Sequence, residues 1–347
     1  MPGSGDAGSV RMRALAADLP NGLLAGFRAG AELDAPKGAA TSRVYAIGMG
    51  GSAIAADLAR CVVDAESEVA LSIVRSAEPP RSLGRSDRAL LISYSGETWE
   101  TLRAYTAAGR AGAQRVVVTS GGSLAERAEE DGVPVLRLPP GMPARAAVGH
   151  LLGGLLGLLD PAFPESNEDR VAGISERLRP EIGRYARDGG PAALLADAVG
   201  DRLPFVYAES RFLGLARRWK NQLEENAKRV AACDEVPEAL HNAIVGWDRV
   251  RRSEAARQVV VLLEWAEEEP TVRRGFRFLE RLLASRKVPV LRVPLASDDR
   301  LEALVRGIAL GDQVSLRLAA RGRVDPCSVE PIVRLRVALG RAGSVGR

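Results

Sequence analysis

The chain has 347 residues, of which 46% are hydrophobic and 27% charged, so it is long enough for two domains and has the composition of a folded, soluble protein. No apolar run approaches the roughly 18 residues that a membrane span requires, so we predict no membrane association. The net charge is +4, but the basic residues are spread over the whole chain and 44 acids oppose them, so we predict no nucleic-acid partner.

The N-terminus and the cysteines favour a cytoplasmic protein without a metal site. The first twenty residues lack the apolar core of a signal peptide. Cys61, Cys233 and Cys327 are odd in number and far apart, which fits a reducing compartment. No cluster of His and Cys has the spacing of a metal site. We therefore expect a cytoplasmic protein that binds no metal and needs no cofactor.

Strands and helices alternate in the first half of the chain. Residues 8–33 place Leu and Phe at three- to four-residue steps, which predicts one helix. The strands predicted next are 43–48, 68–74, 89–93, 115–119 and 133–138. The helices predicted between them are 52–63, 98–109 and 124–131, and an apolar core helix follows around 146–159. This alternation predicts a parallel sheet with helices on both faces.

A second alternation follows a polar, proline-containing stretch at 160–200 that we predict to be a helical linker. Its predicted strands are 204–209, 258–265 and 288–293. Its predicted helices are 212–229, 272–285 and 301–321. One short amphipathic helix is predicted after Pro331. The two halves share this layout but little sequence, which suggests a structural duplication without a sequence repeat.

Two loops rich in glycine and hydroxyl side chains follow strands of the first half. Residues 48–52 read GMGGS and residues 93–98 read SYSGET. Ligands bind at the carboxyl ends of strands in such sheets, and a glycine-rich turn before a helix N-terminus attracts an anion. The side chains that can donate hydrogen bonds to a phosphate oxygen are Ser52, Ser93, Ser95 and Thr98. The loops therefore predict a site for a phosphorylated small molecule.

Three further positions carry side chains that suit chemistry. Arg145 follows the last predicted strand of the first half, on the ligand side, and a solvated surface arginine is the alternative. Glu225 lies in the predicted helical stretch 219–228, where it shares a face with Lys228; from the residues alone, an exposed face with Glu–Lys pairs is the stronger interpretation. His241 titrates near neutral pH and can pass a proton in either direction.

These segments, in this order, resemble the bifunctional phosphoglucose/phosphomannose isomerase family over about residues 43–336. The two loops alone would indicate only a sugar-isomerase (SIS) domain, but Glu-Asn-Ala-Lys at 225–228 and Leu-His-Asn at 240–242 make the resemblance more specific. It implies an α/β fold of two SIS domains, each a parallel-sheet, three-layer sandwich of the flavodoxin-like type. The implied segments are an N-terminal helical part at 1–42, a first SIS domain at 43–158, a helical linker at 159–200, a second SIS domain at 201–322 and a C-terminal helical tail at 323–347.

The resemblance implies a metal-independent isomerase that interconverts glucose 6-phosphate and mannose 6-phosphate with fructose 6-phosphate through a cis-enediol. Glu225 matches the base that moves the proton between C1 and C2, and Arg145 matches the arginine that steadies the enediolate. His241 matches the ring-opening residue, which in this family comes from the partner subunit, so a homodimer is implied. Arg336 falls at the family's C-terminal lysine. The positions that match the phosphate site are Gly51, Ser52, Ser93, Ser95 and Thr98.

Three positions depart from the family pattern. Glu97 stands where the loop usually has Asn, and we expect its carboxylate to point away from the phosphate. Ala243 stands where Glu is usual, and Arg336 keeps its proton at ordinary pH where lysine could release one. These departures leave an alternative open, a sugar-phosphate-binding sensor or partner subunit without turnover. A transcription regulator is disfavoured because no helix-turn-helix precedes the first sheet.

Overall fold

The computed structural model describes residues 4–35, 43–163 and 166–343, and these residues form nine strands and fourteen α-helices. The strands are β1 (Val44–Gly48), β2 (Leu71–Val74), β3 (Arg88–Ile92), β4 (Gln114–Thr119), β5 (Val135–Arg137), β6 (Leu203–Glu209), β7 (Ala232–Val236), β8 (Gln258–Trp265) and β9 (Val290–Leu295). The helices of the first half are α1 (Ser4–Ala17), α2 (Leu19–Glu32), α3 (Gly50–Glu66), α4 (Trp99–Arg110), α5 (Gly122–Glu130) and α6 (Val148–Leu159). The remaining helices are α7 (Glu168–Ala186), α8 (Pro191–Val199), α9 (Leu213–Glu225), α10 (Ala243–Trp247), α11 (Arg252–Ala255), α12 (Pro270–Ser285), α13 (Arg300–Arg321) and α14 (Glu330–Gly343).

The strands form two parallel sheets, of five and four strands, in which the first four strands follow the same order. The first sheet has the order β2-β1-β3-β4-β5 and the second has the order β7-β6-β8-β9. In each sheet the strand order reverses beside the first strand, between β1 and β3 and between β6 and β8. Ligands of such sheets bind at the carboxyl ends of the strands at this reversal. The predicted α/β class with two parallel sheets is confirmed.

Successive residues of each strand face different cores, because side chains alternate along a strand. Ala46 in β1 and Val206 in β6 belong to one continuous core, which also contains side chains of α2, α3, α6, α9 and α13. Their neighbours Tyr45 and Tyr207 belong to two separate outer cores, one against α4 and α5 and the other against α12. The two sheets therefore enclose a shared central layer of helices.

The N-terminal helix differs from its prediction. The helix predicted over residues 8–33 is two helices, because α1 ends at Ala17 and α2 begins at Leu19. Pro20 lies in the first turn of α2, where its missing N–H costs no helical hydrogen bond. None of the helices in the described ranges combines the length and the apolar character needed to cross a membrane.

The helix that carries Glu225 also ends earlier than predicted. The sequence predicts a helix over 212–229, whereas α9 ends at Glu225. Lys228 has a φ of 57°, a left-handed conformation that does not continue an α-helix. Glu225 and Lys228 therefore do not share a helix face, which corrects the sequence-based expectation.

Candidate active site

The two glycine- and hydroxyl-rich loops lie side by side at the carboxyl edge of the first sheet. Gly48 pairs with Ile92, and a Cβ at Gly48 would lie 2.6 Å from the carbonyl oxygen of Ile92, so a larger residue does not fit. Helix α3 begins within the first loop, at Gly50, and α4 begins directly after the second, at Trp99. The two helix N-termini favour an anion at this edge.

The loop hydroxyls are already ordered by hydrogen bonds. Ser52 Oγ and Ser95 Oγ each accept a hydrogen bond from a loop backbone N–H at 3.2 Å. Ser93 Oγ donates to Thr98 Oγ1 at 2.9 Å. Because an accepting hydroxyl still has its own proton, Ser52, Ser95 and Thr98 can each donate to a ligand. Ser93 uses its proton to orient Thr98.

The carboxylate of Glu97 binds the start of a neighbouring helix. Its Oε1 accepts a hydrogen bond from the backbone N–H of Ser123 at 2.7 Å, and its two oxygens lie 3.1 and 3.0 Å from Ser123 Oγ. Ser123 is in the first turn of α5, where a negative charge is favourable. The hydrogen bonds of this acid are thus made to α5 and not to the hydroxyls of Ser95 or Thr98.

A tyrosine links the second loop to the segment that carries Arg145. Tyr94 is buried, and its hydroxyl donates to the carbonyl oxygen of Pro139 at 2.7 Å and accepts from the N–H of Met142 at 3.0 Å. Gly51 of the first loop packs on the same segment, because a Cβ there would lie 3.3 Å from the backbone nitrogen of Arg145. The three loops form one surface at the edge of the sheet.

Arg145 is buried, and its guanidinium joins the two halves of the chain. Its side chain is 4% exposed and donates to Glu225 Oε2 at 3.2 Å, to Asn226 Oδ1 at 2.8 Å and to the carbonyl oxygen of Pro326. Burial lowers the pKa of Arg145, and the Glu225 carboxylate opposes that shift. The described residues engage three of the five guanidinium N–H groups, which leaves two for a ligand oxygen.

Glu225 is the last residue of α9, and its side chain is 28% exposed. The Glu–Lys pair expected on this helix exists, but it joins Lys220 to Glu224 at 2.6 Å. Glu225 instead lies against Arg145, with its Oε2 3.2 Å from Arg145 Nη1. A partly exposed carboxylate beside a buried cation can accept a proton from a ligand while its own charge is stabilised.

Asn226 is a buried site residue that the sequence analysis did not single out. Its Nδ2 donates to Ser315 Oγ at 2.9 Å, and Ser315 Oγ donates in turn to the carbonyl oxygen of Asp312 at 2.7 Å. Since Ser315 has used its proton, it can only accept from Asn226. The amide is therefore oriented with Oδ1 towards Arg145. The Glu-Asn dipeptide was the signal in the sequence that could have identified it.

The C-terminal segment lies beside the same residues. Lys228 Nζ donates to the carbonyl oxygens of Glu225 and Ser328, so it joins the end of α9 to the loop before α14. Burial and the nearby charge of Arg145 lower the pKa of Lys228. Arg336 is in α14, and its side chain lies outside the described part of the structure.

His241 is not among the residues that form hydrogen bonds with Arg145 or Glu225 in the described ranges. It follows the short turn Glu238–Leu240 after the edge strand β7, and it is exposed. Its ring makes no hydrogen bond to any residue in the ranges 4–35, 43–163 and 166–343. In the same ranges, no group of three or more His, Cys, Asp or Glu side chains is placed to hold a metal ion. One chain thus assembles the loops, Arg145 and Glu225 and leaves His241 on the surface.

The chain is similar to known proteins along most of its length. Residues 189–339 match the family model described as bacterial phospho-glucose isomerase C-terminal SIS domain. A bifunctional phosphoglucose/phosphomannose isomerase from Caldicellulosiruptor bescii is 31% identical over 299 residues, which cover 84% of this chain and 87% of that protein. The Aquifex aeolicus protein of the same name is 28% identical, with 84% and 88% covered. The structure of glucosamine-6-phosphate deaminase from Thermotoga maritima shares the fold, with a TM-score of 0.70 at 16% identity over 92% of this chain and 96% of that one.

Proposed function

The chain belongs to the bifunctional phosphoglucose/phosphomannose isomerase family, and we propose that it interconverts glucose 6-phosphate and mannose 6-phosphate with fructose 6-phosphate. The contact between Arg145 and Glu225 beside the two loops carries this proposal. Aldose–ketose isomerisation needs a base that reaches C1 and C2 and positive charge near the developing oxyanion. Glu225 can act as the base, and Arg145 supplies the positive charge.

The phosphate of the substrate binds the two loops in this proposal. The donors are the hydroxyls of Ser52, Ser95 and Thr98, with Ser93 orienting Thr98 and Gly51 allowing the backbone to approach. The N-termini of α3 and α4 favour the negative charge. Binding the phosphate far from the reacting carbons orients C1 and C2 without changing their reactivity, so this energy is used for positioning.

The proton transfer is assigned to Glu225, with Arg145 as its electrostatic partner. Glu225 removes the proton from C2 of the open-chain aldose and returns it to C1, which passes through a cis-enediolate. The two unengaged N–H groups of Arg145 donate to the enediolate oxygen. We propose that this cation does the work for which other isomerases use a metal ion. Arg336 adds positive charge in place of the family's lysine but does not release a proton.

Ring opening is assigned to His241 of a second chain, and the working unit is therefore a homodimer. Its exposed position beyond the edge strand β7 suits a residue that enters the site of a partner. A neutral imidazole can accept a proton at one nitrogen and donate at the other, as ring opening requires. We also propose a cytoplasmic location, which suits the free thiols of Cys61, Cys233 and Cys327.

The test is sugar-phosphate interconversion in excess EDTA, with fructose 6-phosphate supplied and both aldose products followed separately. Wild-type protein should form both products. Glu225→Gln should lower kcat about 10²- to 10⁴-fold, the range for loss of a general base. Glu224→Gln, the same change one residue earlier on α9, should retain activity.

Other outcomes would change the assignment. Formation of one aldose alone would narrow the substrate range and keep the chemistry. Saturable binding of fructose 6-phosphate without either product would identify a sugar-phosphate-binding protein without turnover, and loss of that binding in Ser95→Ala/Thr98→Ala would locate its site. Activity that disappears in EDTA and returns with a divalent metal would contradict the metal-independent mechanism.

A further inference from the structure

The second sheet has its own carboxyl edge at the strand-order reversal, and arginines line it. Residues Ser210 and Arg211 follow β6 there, as the GMGGS loop follows β1. Arg300 follows β9 and begins α13, just as Arg145 lies between β5 and α6. A cleft of about 470 Å³ opens at this edge against α3, and it is lined by Arg60, Arg211, Arg300 and Ser210 among others. We refer to it as the arginine cleft.

Three arginines, Arg60, Arg211 and Arg300, and two aspartates, Asp57 and Asp64, line the arginine cleft. The ion pairs there are Asp57 with Arg75 and Arg217, Glu209 with Arg211, and Asp64 with Arg60. Asp64 and Arg60 are 3.8 Å apart, the loosest of these pairs. Glu66, the next acid along α3, is engaged by Arg170 at 3.1 Å. Arg300 forms no hydrogen bond or ion pair with any residue that the structure describes.

One indole ring holds two of the arginines. The guanidinium groups of Arg211 and Arg300 lie 5.6 and 4.9 Å from the centre of the Trp265 ring, which is a cation–π arrangement. The ring is fixed, because Trp265 Nε1 donates to the carbonyl oxygen of Ser297 at 2.6 Å. Burial and the charge of Arg211 lower the pKa of Arg300, and the carboxylates of Glu66 and Glu209 oppose that shift. Two cations ordered on one ring repel each other, and an anion between them removes that repulsion.

We propose that the arginine cleft binds a small phosphorylated molecule at a second site, separate from the one that contains Arg145 and Glu225. Planar guanidinium groups recognise phosphate oxygens in pairs. The site is not a second copy of the first, because the buried acids Glu209 and Glu268 occupy the carboxyl ends of β6 and β8. The proposed ligand is held by the arginines.

The position of the cleft gives the ligand a regulatory role. Arg60 lies on α3, which packs against the first sheet, whereas Arg211 and Arg300 follow strands of the second sheet. A phosphate bound to all three stabilises the arrangement of the two halves. The opposite end of α3 leads into the GMGGS loop, so this arrangement also positions the first site.

The test is calorimetric titration of the full chain with inorganic pyrophosphate as the probe. Arg300 forms an ion pair with none of the described acids, so Arg300→Gln leaves no carboxylate without a partner. The variant should bind pyrophosphate about tenfold or more weakly, as expected for loss of a hydrogen bond to a charged group. Arg277→Gln, an exposed arginine on α12, makes the same change in net charge elsewhere and should leave binding unchanged.

The titration is repeated with saturating fructose 6-phosphate to occupy the first site. Pyrophosphate binding that persists in the presence of fructose 6-phosphate and is weakened by Arg300→Gln supports the second site. Equal affinity of wild type and Arg300→Gln for pyrophosphate, with and without fructose 6-phosphate, overturns it. If Arg300→Gln fails to fold, Arg300→Lys decides in the same way, because it keeps the charge and loses the planar fork. The titration measures binding and needs no turnover. A protein without isomerase activity would therefore neither support nor overturn the second binding site.

Discussion

Arg145 faces three acceptors, and the charge on each one determines how much of its positive charge is available to a ligand. Glu225 is ionisable, whereas the carbonyl oxygen of Pro326 and the amide of Asn226 are neutral. Asparagine and aspartate have the same shape, so the amide at this position has an electrostatic consequence beyond packing. It orients the guanidinium without neutralising it.

We expect Asn226→Asp to lower kcat by about ten- to a hundredfold, because a second carboxylate beside Arg145 competes with the enediolate for its charge. KM for fructose 6-phosphate should change little, since the loops proposed to bind the phosphate are untouched.

The control for Asn226→Asp is Asn21→Asp, an exposed asparagine that also accepts hydrogen bonds from an arginine, Arg179, at 3.2 and 3.0 Å. That variant should keep the wild-type kcat. An unchanged kcat in Asn226→Asp would contradict the electrostatic role of the amide.

Glu268 gives the stability of the fold a pH dependence that is independent of the active site. It is buried, its Oε1 accepts from the N–H of Trp265 at 2.7 Å, and burial raises its pKa to about 7. The folded protein therefore retains a proton that the unfolded chain has lost, so the free energy of unfolding falls as pH rises from about 4.5 to about 7.

We expect Glu268→Gln to raise the free energy of unfolding by a few kcal/mol at pH 8, because the neutral amide keeps the acceptor and avoids a buried charge. At pH 4 the gain should vanish, since Glu268 is then protonated in both states. Urea unfolding at the two pH values measures this. Glu267→Gln, at the exposed neighbouring position, should show no such difference, and a gain for Glu268→Gln that is equal at both pH values would refute the assignment.

At the scale of elements, α2 and α6 approach so closely that their glycines touch the opposite backbone. A Cβ at Gly26 would lie 2.4 Å from the carbonyl oxygen of His150, and one at Gly153 would lie 2.0 Å from that of Leu23. Glycine recurs every four residues on both helices, which places it along one face. This pairing supports the shared central core beneath the first sheet.

Gly153→Ala should therefore destabilise the protein by about 1–3 kcal/mol or more, because the two helices must move apart. Gly183→Ala is the matched change in an exposed position of α7, where an added Cβ meets nothing within 4 Å. It should instead stabilise by about 0.5–1 kcal/mol through helix propensity. Thermal unfolding of the two variants measures both effects. A Gly153→Ala protein as stable as Gly183→Ala would show that the helices are not held at contact distance.

The elements that the sequence predicted well are those with strong apolar periodicity. All eight predicted strands have an observed counterpart, because each is an apolar run bounded by turn residues. The missed strand is β7, Ala232–Val236, in which Asp and Glu interrupt the apolar pattern at the edge of the sheet. The end of α9 was missed because Ala227 and Lys228 favour helix, and only the backbone conformation at Lys228 ends it there.

At the scale of the whole molecule, contacts between distant segments hold the two halves together. Arg170 of α7 donates to Glu66 at 3.1 Å and to Asp299 at 2.8 Å, and so it joins α7 to residues of both halves. Arg145 and Glu225 are eighty positions apart in the chain. Local sequence patterns cannot predict a contact between such distant positions. The prediction that Arg145 and Glu225 lie in one site therefore came from the resemblance to a family and not from periodicity.

His241 is exposed, and we propose that it completes the active site of a second chain. The protein should then be active only as a dimer. If His241 enters the site of a partner, purified active protein should sediment at about 74 kDa, twice the 36.9 kDa of one chain. A fully active preparation that sediments only as a monomer would contradict the shared site.

Mixing two inactive variants tests the shared site directly. Glu225→Gln and His241→Ala should each have low activity alone, because each lacks one group in both of its sites. In a mixed dimer, one site combines the Glu225 of one chain with the His241 of the other and is intact. Half of the dimers are mixed after equal co-expression, and each has one intact site of two, so about one quarter of wild-type activity should return. If both residues act within one chain, no mixed dimer has an intact site and the activity stays at that of the separate variants. The mixture is therefore expected to be more active than either component, and the size of the recovery reports how many sites draw His241 from the partner.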